Sequence, residues 1–218
     1  MPEFESAFVP VLGRPEPPSP TEVAVRVLAT QPPELPSAPP QRRNLELSTE
    51  PSTEGLDVSI RGELRPDWSL YFARGLALRG VSLLEGAAQL REAKTWEATV
   101  KLDADPGRLG AAELLNLLRD ERPLGVAPEP KLLDYQVSLP GPGLSRVSIE
   151  VNAWESVGLF AGVLSVAEGC GFTPTAFALE TEQECAFHEL ELVPRGGGLA
   201  GHRAVLDLER RLRRCVGG

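Results

Sequence analysis

The side chains best suited to metal or nucleophilic chemistry are two histidines and three cysteines. Cys185 and His188 have the Cys-x-x-His spacing that occurs in some zinc sites. The residues around them alternate as in a strand, so side chains three positions apart point to opposite faces. No second ligand pair follows at the spacing of a structural zinc site. We therefore expect no metal and no cofactor, and we interpret His188 as a core or interface histidine.

Other patterns that indicate catalysis are missing from the sequence. The glycine run at 196–198 lacks the Lys-Ser/Thr of a phosphate-binding loop, so it predicts a flexible turn. No serine has the G-x-S-x-G spacing, and no paired acid and base mark a hydrolytic site. The sequence thus predicts a protein that is not an enzyme.

Charge and hydropathy restrict the partners. The net charge is −9 and no long segment is basic, which argues against nucleic acid. No run of about 18 apolar residues is present, so we expect no membrane span. The odd cysteine count (Cys170, Cys185 and Cys215) and an acidic, proline-broken start without signal-peptide features predict reduced thiols in the cytoplasm. Arginines along 203–214 predict an exposed helix face, with an acidic partner surface as the alternative.

The elements that must position these residues begin after a proline-rich segment. Twelve of the 21 prolines lie in residues 1–51, which predicts an N-terminal arm over 1–55. Within it, the alternation of Val23, Val25 and Val27 predicts a strand at 21–30. Residues 31–55 are interpreted as an extended linker.

Two similar patterns follow the arm. Residues 56–142 predict the order β-α-β-β-α-β, with strands at 56–61, 81–91, 96–102 and 133–139 and helices at 68–78 and 110–120. Residues 143–218 predict β-α-β-β-α, with strands at 147–151, 172–181 and 186–192 and helices at 159–170 and 201–216. The two patterns repeat at a shift of about 90 residues, which indicates duplicated domains. The second lacks a fourth strand, and the strand at 21–30 is a candidate to complete its sheet.

The turn before the first helix of each repeat carries a family resemblance. The second repeat has Glu155-Ser156-Val157-Gly158-Leu159 between strand and helix, and Thr181 at the end of the next strand. This pattern resembles tandem ACT domains, in the style of the C-terminal pair of bacterial uridylyltransferases and of glycine-cleavage repressors. The first repeat departs from it, because Arg65-Pro66-Asp67-Trp68 contains no glycine. The resemblance implies an α+β protein with two ferredoxin-like (ACT-like) repeats and antiparallel sheets.

The resemblance also implies a binding site at the second loop. ACT domains hold amino acids there, so Glu155, Ser156, Val157, Gly158 and Leu159 are the candidate ligand-binding residues. A helix N-terminus suits a carboxylate, and a glycine lets the backbone approach a ligand. Glu155 disfavours a carboxylate but suits an amino group, and Trp68 would fill the space at the first loop. The alternative is that Gly158 is a turn residue in a degenerate site.

Two functions are compatible with these features. The first is a non-catalytic regulatory protein that senses a small molecule, such as an amino acid, and thereby changes how a partner docks. The second is a ligand-free protein–protein interaction module or adaptor that uses the double sheet and the N-terminal arm. Either function implies a protein partner or a homo-oligomer.

Overall fold

A computed structural model describes residues 45–91, 94–105, 107–119, 125–139 and 145–217. The predicted strand at 21–30 lies outside these residues. The described elements, in chain order, are β1 (Leu45–Ser52), β2 (Gly55–Glu63), α1 (Trp68–Ala77), β3 (Ser82–Leu90), β4 (Thr95–Asp103), α2 (Ala111–Arg119), β5 (Leu132–Ser138), β6 (Val147–Trp154), α3 (Leu159–Gly169), β7 (Phe172–Glu182), β8 (Cys185–Pro194) and α4 (His202–Cys215).

The described strands form one antiparallel sheet of eight strands in the order β1-β2-β4-β3-β7-β8-β6-β5. With the four helices, it makes an α+β fold. We call the part from β1 to α2 the N-terminal half and the part from β5 to α4 the C-terminal half. The halves meet in the middle of the sheet, where β3 pairs with β7 and Ala87 lies opposite Ala178. The described residues belong to one compact unit.

Each inner strand buries one row of side chains and exposes the other. In β2, Val58 and Ile60 are buried, whereas Asp57, Ser59 and Arg61 are exposed. This period of two is typical of a sheet with a core on one side and solvent on the other. We call the side that carries the exposed row the open face of the sheet.

The helices supply the other wall of the core. In α4, Leu208, Leu212 and Cys215 are buried on one side, and the arginines at 203, 210, 211, 213 and 214 are exposed. This confirms the predicted arginine-bearing face. Two of those arginines form ion pairs within the helix, Arg210 with Asp207 at 2.9 Å and Arg213 with Glu209 at 3.5 Å. Two of the five arginines on this face are therefore paired within their own helix.

The linker predicted at 31–55 is wrong for its last part, because β1 lies there. Leu45 and Leu47 are half-buried and alternate with exposed Glu46 and Ser48, so β1 has the same two-residue period as β2. It pairs with β2 along its whole length, from Leu45 opposite Gly62 to Ser52 opposite Gly55. Charged side chains and Pro51 made this alternation hard to recognise in the sequence, although both are common on edge strands.

The strand predicted at 133–139 forms as β5, but it does not complete the sheet of residues 56–142. It pairs with β6, where Tyr135 lies opposite Val151 and Val137 lies opposite Ile149. The division at residue 142 therefore separates two hydrogen-bonded strands. β5 reaches β6 through a short connection, and a short loop costs less closure entropy than a return to β2.

The strand predicted at 21–30, a candidate to complete the second sheet, lies outside the described residues, so its pairing stays a prediction. The place beside β6 is occupied by β5 on one side and β8 on the other. Both halves thus begin with an edge strand, β1 or β5, and both follow the order ββαββα.

Candidate functional site

The five predicted site residues lie together where β6 ends and α3 begins. Gly158 precedes the helix with a φ of +86°, a left-handed value that favours glycine. The Glu155 N–H donates to the Glu184 carbonyl at 2.7 Å, and the Leu159 N–H donates to the Ser156 carbonyl at 3.0 Å. The loop is therefore fixed to the hairpin between β7 and β8 as well as to its own helix.

This loop faces the other half of the molecule. Glu155, Ser156 and Gly158 line a small cavity together with Ala73 of α1. The cavity is closed by Val81, which precedes β3, by Leu83 within β3 and by His188 of β8. The cavity measures about 10 Å³, which is roughly the space that one water molecule requires. Small-molecule sites usually span about 300–1,000 Å³, so the loop encloses no ligand-sized space in this conformation.

The connection from α2 to β5 covers the loop glycine. A Cβ placed on Gly158 would lie 2.7 Å from Pro128 Cγ and 3.2 Å from Ala77 Cβ. A Cβ on Gly162, one helical turn later, would lie 2.6 Å from the Pro128 carbonyl oxygen and 3.0 Å from Pro130 Cδ. We call residues 125–131 the strap. Because Gly158 and Gly162 have no side chains, the strap can pack closely against the loop and the first turn of α3.

Glu155 carries the unusual electrostatics of the loop. Its carboxylate is half-buried, and Oε2 has no hydrogen-bond partner among the described residues. Burial raises the pKa of Glu155, and the negative charge of Asp103 adds to that rise. Hydrogen bonds from the Ser82 side chain and the Ser156 backbone act in the opposite direction. The net effect is a carboxyl group that takes a proton more readily than an exposed glutamate.

His188 is the second polar group of the cavity. It is 3 % exposed, and its Nδ1 has no hydrogen-bond partner among the described residues. Burial lowers the pKa of His188 to about 4, because a buried imidazolium loses its hydration. Phe160 packs edge-to-face against the imidazole ring, with 5.5 Å between the two ring centroids. The sequence interpretation of His188 as a core or interface histidine is confirmed by its burial.

The loop before α1 is filled by a large side chain. Trp68 is 2 % exposed. Its ring centroid lies 5.5 Å from that of Trp96 and 6.2 Å from that of Phe177 in the other half. Arg65 donates two hydrogen bonds of 3.0 Å to the Asp67 carboxylate. A cavity of about 10 Å³ lies between Asp67 and the opposing residues of α3 and β7. Neither of these two cavities therefore has space for an amino acid. A third cavity, of about 120 Å³, adjoins the second loop at Val157 and is lined by the end of α1 and by the strap, so it is also smaller than a usual small-molecule site.

A much wider concavity than these cavities lies elsewhere, on the open face. It is a shallow trough of about 710 Å³. Its lining includes Ser59, Ala87, Thr99 and Ala178 in the middle of the sheet, and Glu189 and Glu191 on β8. The sequence analysis did not identify this surface, because a trough arises from the twist and order of strands that are distant in the chain.

Sequence reasoning also missed the strap. The signal that could have indicated it is the Pro128-Glu129-Pro130 spacing, since prolines favour an extended path that packs well against small residues. Its partner in space, Gly158, was identified for the different reason of ligand approach.

Metal and membrane features complete the description. Within the described ranges, no three His, Cys, Asp or Glu side chains come together in a way that could hold a metal ion. Cys185 and His188 lie on opposite faces of β8, as the alternation predicts. No helix in the described part of the chain is both long and apolar enough to cross a membrane. No protein-family model, curated protein or solved structure matches the chain.

Proposed function

We propose that this chain is a non-catalytic, ligand-free protein–protein interaction module built from two ACT-like repeats. The observation that carries the proposal is the closed loop: Pro128 lies against Gly158, and the cavity that Gly158 lines measures about 10 Å³. A loop glycine that contacts its own chain has a packing role, and the loop then needs no ligand to be filled.

The order of elements supports the ACT-like part. From β2 to α2 and from β6 to α4, each half has the βαββα order of a ferredoxin-like unit. Such a unit takes a fourth strand beside its first. Here β1 and β5 stand in that place and precede the unit in the chain, so each repeat is a ferredoxin-like unit with its last strand moved to the front.

The open face supports the interaction part. Eight paired strands present one continuous surface with a trough across its middle. Trp154 is 56 % exposed and Phe187 is 43 % exposed on this face. Exposed aromatic side chains beside polar ones are typical of protein interfaces. The free thiols of Cys170, Cys185 and Cys215 favour a reducing, cytoplasmic setting for such a module.

A second candidate, the amino-acid sensor, is favoured by one observation. The cavity at the Gly158 loop contains two buried polar atoms without partners, Glu155 Oε2 and His188 Nδ1. Unpaired buried polar groups cost stability, and a bound amino group would pair them. The sensor requires the strap to move away from Gly158 first.

Thermal-shift and calorimetric titration with each of the twenty amino acids separates these functions. The module predicts no shift in Tm and no heat of binding, for the native chain and for Pro128→Gly, which uncovers the loop. A sensor predicts binding by at least one amino acid, strengthened in Pro128→Gly and lost in Gly158→Trp. Such a result would contradict the ligand-free proposal.

Pull-down of partners tests the role of the N-terminal arm. The deletion must end at residue 41, because β1 begins at Leu45 and belongs to the sheet. If the arm recruits the partner, removal of residues 1–41 abolishes capture. If the sheet recruits it, capture persists, and substitutions on the open face abolish it instead.

A further inference from the structure

Charges on the open face of the N-terminal half are matched across its central strands. Arg61 lies 3.6 Å from Glu97, and Arg91 lies 3.0 Å from the same carboxylate. Lys101 lies 3.0 Å from Glu85. Cross-strand pairs of opposite charge stabilise a sheet by about 0.2–1 kcal/mol each. The charges of β4 and its neighbours are thus paired, whereas nearer the edge Glu50 on β1 lies directly opposite Asp57 on β2.

The C-terminal half has a different arrangement. Glu150 on β6 lies directly opposite Glu189 on β8, and both side chains are exposed. Glu180 on β7 is also exposed. It lies two residues beyond Ala178, and Ala178 is directly opposite Glu189. Within the described residues, no ion pair reaches Glu150, Glu180 or Glu189. Like charges directly opposite each other destabilise a sheet, so this arrangement is unfavourable in the isolated chain.

Two aromatic side chains lie beside these carboxylates on the same face. Phe187 is directly opposite Glu180 on one side and Asn152 on the other. Trp154 is two residues further along β6, on the same face as Asn152. We call Glu150, Glu180, Glu189, Phe187 and Trp154 the acidic–aromatic surface. Exposed apolar area beside unpaired charge indicates a partner that carries the opposite charge.

The trough connects this surface with the middle of the sheet. Ala87 and Ala178 lie opposite each other where the halves meet, and Ser59 lies opposite Thr99 further along. These four side chains are small, so a partner segment can approach the backbone of the sheet closely. On the C-terminal half its lining includes Glu189, which is unpaired among the described residues, and Glu191, which lies 3.5 Å from Arg146. Cationic side chains of the segment would meet these carboxylates, whereas the arginines that line the N-terminal half of the trough, Arg61 and Arg91, are paired with Glu97.

We propose that the acidic–aromatic surface of β6, β7 and β8 binds a lysine- or arginine-rich segment of a partner protein, which lies along the trough. This inference rests on the proposed interaction function and specifies its partner. Arginine satisfies both parts of the surface, because its guanidinium pairs with carboxylates and stacks on aromatic rings. A second copy of the chain fits less well, because its overall charge is −9 and two of the arginines of α4 pair within that helix.

Fluorescence titration with an octa-arginine peptide tests the proposal. The chain has three tryptophans; Trp68 and Trp96 are 2 % and 1 % exposed, whereas Trp154 is 56 % exposed. Iodide-quenchable emission therefore reports mainly on Trp154. We expect octa-arginine to protect this emission from iodide, with an affinity that falls as salt rises, and octa-glutamate to have no effect.

A pair of matched variants locates the surface. Glu150→Gln/Glu189→Gln removes two opposed carboxylates and should weaken octa-arginine binding by roughly tenfold or more. Glu50→Gln/Asp57→Asn removes the same number of charges from a pair that is also directly opposite on the open face. That pair lies at the opposite edge of the sheet from the acidic–aromatic surface, so binding should change by less than about twofold.

Three outcomes would overturn the proposal. Equal weakening by both variants would mean that the peptide responds to net charge alone. Unchanged iodide access to Trp154 on peptide binding would place the peptide elsewhere. Self-association that Glu150→Gln/Glu189→Gln abolishes would make a second copy the occupant. None of these outcomes bears on the ligand-free function, which fails only if an amino acid binds at the Gly158 loop.

Discussion

The loops before α1 and α3 occupy the same place in the two halves, yet they close it in opposite ways. The first loop places Trp68 into a cluster with Trp96 and Phe177 and pairs Arg65 with Asp67. The second uses Gly158 and Gly162, and the strap fills the space that their missing side chains leave. Both closures leave buried polar atoms without partners, Trp68 Nε1 and Ser69 Oγ at the first and Glu155 Oε2 and His188 Nδ1 at the second. Only the second pair belongs to side chains that titrate near neutral or acidic pH.

This difference indicates where the molecule can change. A large aromatic side chain that contacts both halves can leave only by losing most of its buried area. The strap packs against Gly158 and Gly162 through Pro128 and Pro130. Covering the polar atoms beneath it adds little to the free energy of unfolding. We therefore expect the N-terminal loop to contribute stability and the C-terminal loop to respond to pH and substitution.

The largest effect should come from Trp68→Ala. Removing a buried tryptophan costs about 3–5 kcal/mol, because it loses the contacts with Trp96 and Phe177 and leaves a cavity. The free energy of unfolding from a urea titration measures this loss. Trp154→Ala is the matched control, because Trp154 is exposed and should cost less than about 1 kcal/mol. Similar losses in the two variants would contradict a structural role for Trp68.

Substitution of Gly158 should have the next largest effect. In Gly158→Ala, the new methyl group would lie 2.7 Å from Pro128 Cγ, at a φ of +86°. We expect a loss of about 2–5 kcal/mol, the sum of the left-handed backbone cost and the overpacking cost. Gly171 has a similar φ of +84°, but a Cβ there would meet nothing within 4 Å. Gly171→Ala should therefore lose only the backbone part, about 1–2 kcal/mol.

A double variant assigns the difference to the strap. Pro128→Gly should recover part of the loss in Gly158→Ala and none of the loss in Gly171→Ala. No recovery would mean that the strap does not cover Gly158 in solution. The conclusion that the strap closes the second loop would then be wrong.

Much of the fold follows from local pattern. The two-residue period of Val58 and Ile60 and the helical spacing of Leu208 and Leu212 indicated a strand and a helix that both form. Pairing between strands was not predicted correctly, because the alternation in 133–139 says which side is apolar and not which neighbour it will have. The choice of β6 depends on the length of the connection between strands.

The candidate site shows the same limit. Glu155 and Gly158 were identified from the order of residues at a helix start, and they do lie together. Pro128 and Ser82 are distant in the chain, so no pattern near Gly158 could indicate them. Whether a loop is open or closed depends on such distant segments, and the sequence-based expectation of a ligand site did not include them.

A pH dependence of stability should separate the C-terminal loop from the N-terminal one. The pKa of His188 is about 4 in the folded chain, compared with 6.5 for an ordinary histidine. Between these values the unfolded chain binds the proton and the folded chain does not, so stability falls as pH decreases from 6.5 to 4. The full loss is about 3 kcal/mol. Urea titrations at half-unit intervals of pH measure it.

His188→Phe should flatten the profile between pH 6.5 and 4. The second histidine, His202, is exposed at the start of α4, so His202→Gln should leave the slope unchanged. A slope that persists in His188→Phe would assign the pH dependence to carboxylates and contradict the buried, neutral imidazole.

Glu155→Gln should produce the smallest effect, and with the opposite sign. Burial raises the pKa of Glu155 in the folded chain, so its contribution to stability is present below the ordinary pKa of 4.5 and is lost as pH rises through the raised value. At pH 7 the native chain therefore retains a partly desolvated charge that glutamine removes. We expect Glu155→Gln to stabilise the chain by about 0.5 kcal/mol at pH 7 and to have no effect near pH 4. Glu184→Gln, in the exposed hairpin next to the loop, is the matched control and should be neutral at both pH values. If Glu155→Gln destabilises the chain at pH 7 instead, the hydrogen bonds from Ser82 and Ser156 outweigh the desolvation of the Glu155 carboxylate.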